Sequence, residues 1–241
     1  MGRYVYGLAA IGFGICAVVW HDISNLQQFA TLGSGRREIL AEVVAAIEIL
    51  GGLALLGPAT ARAGAIALAL LYGAFAVLGL PYVVAQPAVY NNYGNVFEQL
   101  SLAVGGAILA SRTVRIARIA AYTFGACTAS FALEQWFYLA PTAGLVPKWI
   151  PPGQLFWAVA TTVAFALAAI AMLTGVAASL AARLTAAMIA GFGLLVWLPA
   201  LVANPRSFAN WSEALETFAI AATAGMVARL AATRSGAPRS D

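Results

Sequence analysis

Apolar residues fall into eight long runs separated by short polar stretches: 4–20, 39–57, 62–84, 96–112, 117–138, 153–174, 180–202 and 213–231. About 20 mostly apolar residues in an α-helix cover the ~30 Å hydrocarbon core of a bilayer, so each run predicts a spanning helix. The fourth and eighth runs open on polar residues. The pattern as a whole predicts an all-α, polytopic transmembrane bundle of about eight spans. The first run follows a basic residue, Arg3, as a signal sequence does, but further spans come after it. It is therefore expected to stay in place as the first span and to target the chain. Between Pro141 and Gly153 lie four of the ten prolines, which predicts a rigid loop with Trp149 at the membrane interface.

The pattern repeats. Leu80-Pro81 recurs as Leu198-Pro199, Pro87 as Pro205, Asn92-Tyr93 as Asn210-Trp211 and Glu98 as Glu216, all 118 residues apart. Gly57 and Gly73 match Gly175 and Gly191 at the same offset, and Phe13-Gly14-x-Cys16 returns as Phe124-Gly125-x-Cys127 at an offset of 111. An insertion in the first outer loop of the second half absorbs the difference. The expected organisation is a first four-helix unit over 1–114, a second over 115–232 and a disordered cytoplasmic tail over 233–241. Each unit has an even number of spans, so both copies share one orientation and a pseudo-two-fold axis would run along the membrane normal.

Composition fits this reading: 62% of the residues are hydrophobic and 9% charged, whereas a soluble domain carries about 25% charged residues. The formal charge of +4 then speaks to topology and to anionic headgroups of the bilayer. No basic run with interleaved aromatics exists, so nucleic acid is not an expected partner. With the N-terminus inside, nine of the thirteen basic residues face the cytoplasm, and Arg36, Arg37, Lys148 and Arg206 face out. The positive-inside rule then places both termini in the cytoplasm, and the expected location is the bacterial cytoplasmic (inner) membrane. Seven of the nine acids (Asp22, Glu38, Glu42, Glu98, Glu134, Glu213 and Glu216) lie at or near the outer ends of spans.

Candidate chemistry follows from those acids. Glu48 sits nine residues into its span, near the midplane, where a carboxyl must be neutral, paired or turned to a polar cavity. It is a candidate ligand or proton site, or a neutral group bonded to a neighbouring helix. At the offset of 118 its counterpart is Ala166. His21 and Asp22, at the outer end of the first span, could exchange protons near neutral pH or simply anchor the interface. Asn95 with Glu98, and Asn210 with Glu213, have capping-box spacing. That leaves Glu216, one turn deeper, which with Glu98, Glu134, Gln135 and Trp136 could line one outward pocket. Cys16 and Cys127 occupy matching mid-span positions and read as small hydrophobes or as a redox pair. A single histidine cannot supply a bis-histidine haem, and no metal-ligand spacing is present, so no intrinsic cofactor or metal is expected.

The four-span unit, the acidic or histidine end of the first span, and the stretch from Glu48 to Gly57 (E-I-L-G-G-L-A-L-L-G) followed by Arg62 resemble the DoxX/DoxD-like family of membrane proteins. The second half echoes it with A-M-L-T-G at 171–175 followed by Arg183. The resemblance implies two fused four-helix bundles. It also implies association with quinone and a redox partner subunit, as in a thiosulfate:quinone oxidoreductase, with Glu48 as the family's acidic residue of the second helix. Three expectations stay open: a quinone-associated or assembly subunit of a redox complex, a carrier or binding protein for a small lipophilic solute, and a structural membrane component. No nucleophile–base array marks an enzyme acting alone.

Overall fold

Backbone amides that meet no water in hydrocarbon must bond to one another, and apolar runs of this length do so as helices. In a computed structural model, which describes residues 1–23, 29 and 33–235, the chain is all-helical, with no strand among the described residues. The helices are α1 (Gly2–Trp20), α2 (Ser34–Leu56), α3 (Ala61–Ala85), α4 (Asn91–Ala110), α5 (Val114–Phe137), the short α6 (Leu139–Leu145), α7 (Gln154–Thr174), α8 (Ala178–Ala203) and α9 (Phe208–Ser235). In α8 a π-helical turn, Gly193–Trp197, sits between α-helical Ala178–Phe192 and Leu198–Ala203.

Eight of these helices are long, and each matches an apolar run. Six of them (α1, α2, α3, α7, α8 and α9) are apolar enough over 18 residues to cross a membrane. The two others are α4, which opens on Asn91, Asn92, Asn95, Glu98 and Gln99, and α5, which has Arg115 and Arg118 near one end and Glu134 and Gln135 near the other.

Three expectations need correction. Helices α2, α4 and α9 begin at Ser34, Asn91 and Phe208, about a turn before their apolar runs, because the helix continues beyond its most apolar stretch. Asn95 and Asn210 are therefore inside helices and do not cap them. The proline-rich connection is not wholly loop, since α6 forms across Pro141. The tail read as disordered is helical through Ser235, and its residues 236–241 lie outside the described residues.

Sequential long helices pack side by side from α1 to α5, then α5 on α7, α7 on α8 and α8 on α9, while α9 returns to α1. A ring results, and α4 contacts α9 across it. Small residues set the spacing where helices come closest. A β-carbon at Gly52 would sit 2.6 Å from the Gly7 carbonyl, and one at Gly7 would sit 3.1 Å from the Gly52 carbonyl, so α1 and α2 touch backbone to backbone. The outward faces carry large apolar side chains such as Leu50, Leu70, Val77 and Leu167. A surface of this kind suits lipid and is rare on a soluble monomer.

Candidate functional site

Two proline-bearing helices, α3 with Pro81 and α8 with Pro199, lead to the end of the bundle that holds most of the acids. The turns that follow are built alike. Gln86 N–H donates to the Tyr82 carbonyl at 2.9 Å, and Asn204 N–H to the Ala200 carbonyl at 2.9 Å. The Asn92 amide donates to the Tyr82 carbonyl at 3.1 Å, and the Asn210 amide to the Ala200 carbonyl at 3.1 Å. Each carbonyl lies in the last turn of its helix, where intrahelical donors run out, and the asparagine amide adds a second donor to it. The two asparagines tie the starts of α4 and α9 to the ends of α3 and α8. That fixes where Glu98, Glu213 and Glu216 stand.

Two cavities at this end are lined by acids. The smaller, about 30 Å³, is lined by Asp22, Glu48, Tyr72, Gln99, Ser212 and Glu216 among apolar neighbours. Tyr72 donates from its hydroxyl to Glu48 Oε1 at 3.2 Å. Its ring is held edge-on by Tyr6, Phe13 and Phe75, so the hydroxyl has little freedom to leave. Gln99 Nε2 donates to Glu216 Oε1 at 3.3 Å, joining α4 to α9. Asp22 Oδ1 pairs with Arg37 Nε at 3.3 Å.

The larger cavity is broad and open, about 580 Å³, and is lined by α4 to α9. Its acids are Glu98, Glu134 and Glu213, and its apolar wall includes Phe131, Phe165, Phe192 and Trp197. Phe165 meets Phe131 at 5.8 Å and Phe192 at 6.1 Å between ring centroids, a continuous aromatic row from three helices. Gln135 accepts from the Thr161 and Thr162 hydroxyls at 3.2 and 3.1 Å, which locks its amide oxygen against α7. Tyr138 accepts the Asn91 N–H at 3.2 Å, leaving its own hydroxyl hydrogen to donate. Glu134 lies directly over Gly94: a β-carbon there would collide with the carboxyl group. No Lys, Arg or His lines either cavity among the described residues.

The candidates from sequence thus separate into two groups instead of sharing one pocket. Glu48, Asp22 and Glu216 line the small cavity; Glu98 and Glu134, with Gln135, line the large one. Trp136 is exposed and faces neither. His21 is exposed at the left-handed end of α1, φ 49°, and lines neither cavity. Cys16 and Cys127 are buried and carry no disulfide. Four residues went unread as site residues. Glu213 was taken for a cap, and Tyr72, Gln99 and Ser212 carry no motif; the polar character of Tyr72 at the depth of Glu48 was the available signal. Nowhere among the described residues do three His, Cys, Asp or Glu side chains converge to hold a metal ion. No family model, curated protein or solved structure matches this chain.

Proposed function

We propose that this chain is a membrane-embedded binding or carrier protein for a small organic cation with an apolar body, taken up in the large cavity. The observation that carries the proposal is the pairing of three carboxyl groups (Glu98, Glu134 and Glu213) with an aromatic wall, in a space whose described lining has no basic side chain. Aromatic faces and carboxylates both favour a cation, and the apolar wall favours one with hydrocarbon around the charge.

All eight long helices cross the membrane in this proposal, as two related four-helix units of one orientation with both termini in the cytoplasm of a bacterial inner membrane. The like-built turns after Pro81 and Pro199 support the duplication. So does the contact between Gly105 and Thr223, which are 118 residues apart. Equivalent residues of two copies touch where a two-fold axis passes between them. The likeness of the stretch after Glu48 to DoxX-like units belongs to the same proposal.

A quinone-associated subunit of a redox complex is the second reading. A cavity of about 150 Å³ holds one benzene, so a ring is excluded from the space of about 30 Å³ beside Glu48 and admitted to the one of about 580 Å³. There the Gln135 amide and the Tyr138 hydroxyl could donate to ring carbonyls, while electron-transfer centres would come from a partner subunit.

Equilibrium dialysis of radiolabelled tetraphenylphosphonium against the protein in nanodiscs tests the first reading. Saturable binding is expected, weakened at least tenfold by Glu134→Gln and not displaced by tetraphenylborate, the anion of the same shape. Equal displacement by the anion would reject a cation site. Displacement by a neutral ubiquinone analogue would favour the second reading, and absence of any saturable binding would leave a structural role.

A further inference from the structure

The small cavity is separate from the proposed solute cavity, and its walls are unusual in what they leave unbonded. Protein hydrogen bonds engage one oxygen of Glu48 and one of Glu216. Their second oxygens, Gln99 Oε1 and Ser212 Oγ have no protein partner among the described residues. Ser212 is 95% buried by its 5% exposure, and Gln99 and Glu48 are buried to a similar degree. Among the described residues Thr185 Oγ1 is the one closed-off polar side-chain atom without a partner, so Ser212 Oγ and Gln99 Oε1 open on the cavity, where an occupant can meet them. Because Gln99 spends its amide nitrogen on Glu216, the oxygen is what it has left to offer. The described lining contributes side-chain oxygens from four helices, α2, α3, α4 and α9, and from Asp22 beyond the end of α1, and no basic side chain. Arg37 is engaged by Asp22.

We propose that this cavity binds one small monovalent cation, Na⁺ or a proton carried on water, between Glu48 and Glu216, with Ser212 Oγ and Gln99 Oε1 as neutral oxygen ligands. Size selects the occupant. About 30 Å³ is room for a dehydrated ion or a hydronium and far below the about 150 Å³ that holds one benzene, too little for an organic cation with an apolar body. Hard cations of this kind take oxygen ligands. A divalent ion is disfavoured because Asp22, the third carboxylate of the lining, is paired with Arg37, and no three acids converge among the described residues. The ion also does work in the fold: it offsets two carboxyl groups, Glu48 on α2 and Glu216 on α9, that line one cavity with no basic side chain in its described lining. The other titratable groups near the pair are Asp22 with its partner Arg37, Tyr6 and Cys16 on α1, Tyr72 on α3, Glu98 on α4, Glu134 on α5 and Glu213 on α9.

The test uses the full chain in nanodiscs. Its thermal unfolding midpoint is followed while NaCl replaces N-methylglucamine chloride at constant ionic strength, and proton release is recorded on adding Na⁺. With Na⁺ as the occupant, the midpoint rises saturably, protons are released, and Ser212→Ala and Glu216→Gln each shift half-saturation at least tenfold. Glu42→Gln, on an exposed face of α2, leaves half-saturation unchanged. With a proton as the occupant, Na⁺ has no effect, and the midpoint rises on acidification in the parent chain but not in Glu216→Gln. A midpoint insensitive to both ions overturns the site. Ser212→Ala keeps every charge and removes one oxygen, so it remains informative if Glu216→Gln fails to fold. Loss of the Na⁺ response with tetraphenylphosphonium binding intact would sink this site alone.

Discussion

The two cavities use the same kinds of residue and come out differently, because the helices around them close to different degrees. Around Glu48, α1 and α2 meet backbone to backbone at Gly7 and Gly52. On α7, which packs against α5 and its Glu134, Ile170 lies 118 residues after Gly52, the spacing of the proposed repeat. Ile170 points outward, 59% exposed, and α5 and α7 meet through side chains, with Leu173 against Gly125. Tight approach leaves room for about one water-sized occupant; looser packing, roofed by α6 and a proline-rich connection, leaves a cavity nearly twenty times larger by the ratio of about 580 to about 30 Å³. Where glycines let backbones touch, a carboxyl is sealed in with chosen partners. Where they do not, carboxyls line an open space fit for a solute.

The most damaging way to break this comparison is to deny α1 and α2 their contact. Gly52→Leu places side-chain atoms where the Gly7 carbonyl already sits, and backbone cannot move aside as a flexible side chain does. Overpacking costs about 1–3 kcal/mol in well-packed cores, and we expect at least the upper end, seen as loss of the monodisperse peak on size-exclusion chromatography. Ile170→Gly, its counterpart, should cost only about 1 kcal/mol, the helix-propensity difference, because the residue faces outward. Equal losses from the two would mean that close approach is not what distinguishes the halves.

A smaller effect is expected from Tyr72→Phe, which keeps the aromatic packing and removes the hydroxyl that Glu48 accepts from. Leaving a buried polar group without its partner costs about 1–3 kcal/mol. Thermal unfolding of Tyr72→Phe, Glu48→Leu and the double variant closes a cycle. The double variant should be less destabilised than the sum of the singles. Strict additivity would show that the 3.2 Å bond contributes nothing to stability.

Much of this architecture could be read from the sequence for a plain reason: hydropathy over twenty residues records the one environment that admits such runs, so each long helix was located. Helix starts were misjudged because hydropathy registers where apolar residues begin, not where amides begin to pair. Asn95 and Asn210 fell inside α4 and α9 for that reason. Glu48 was found because a carboxyl in an apolar run contradicts its surroundings. Ser212 and Gln99 were not, since nothing about a serine or glutamine near a span end says whether it meets a partner, a cavity or water. The separation of Glu98 from Glu216 into two cavities also lay beyond the sequence. Equal spacing along two helices fixes depth, but which way each carboxyl turns depends on how α4 and α9 pack.

The finest distinction lies in the two proline turns, which look alike and yet are not burdened alike. Asn92 is 4% exposed and donates to two carbonyls, Tyr82 at 3.1 Å and Gln86 at 3.3 Å. Asn210 is half-buried and donates to one, Ala200 at 3.1 Å. Replacing Asn92 with alanine removes two hydrogen bonds made by a buried amide, while Asn210→Ala removes one made by a half-buried amide; the Tyr82 and Ala200 carbonyls keep the Gln86 and Asn204 N–H donors. Net hydrogen bonds are worth about 0.5–1.5 kcal/mol, so we expect Asn92→Ala near the top of that range and Asn210→Ala near the bottom, read as unfolding midpoints in the same detergent. A larger loss from Asn210→Ala would show that the second turn, beside the π-helical stretch of α8, depends on its asparagine for more than one hydrogen bond. The open cavity would then be held in shape from the α8 side, and the contrast between the halves would rest there as well as on Gly52.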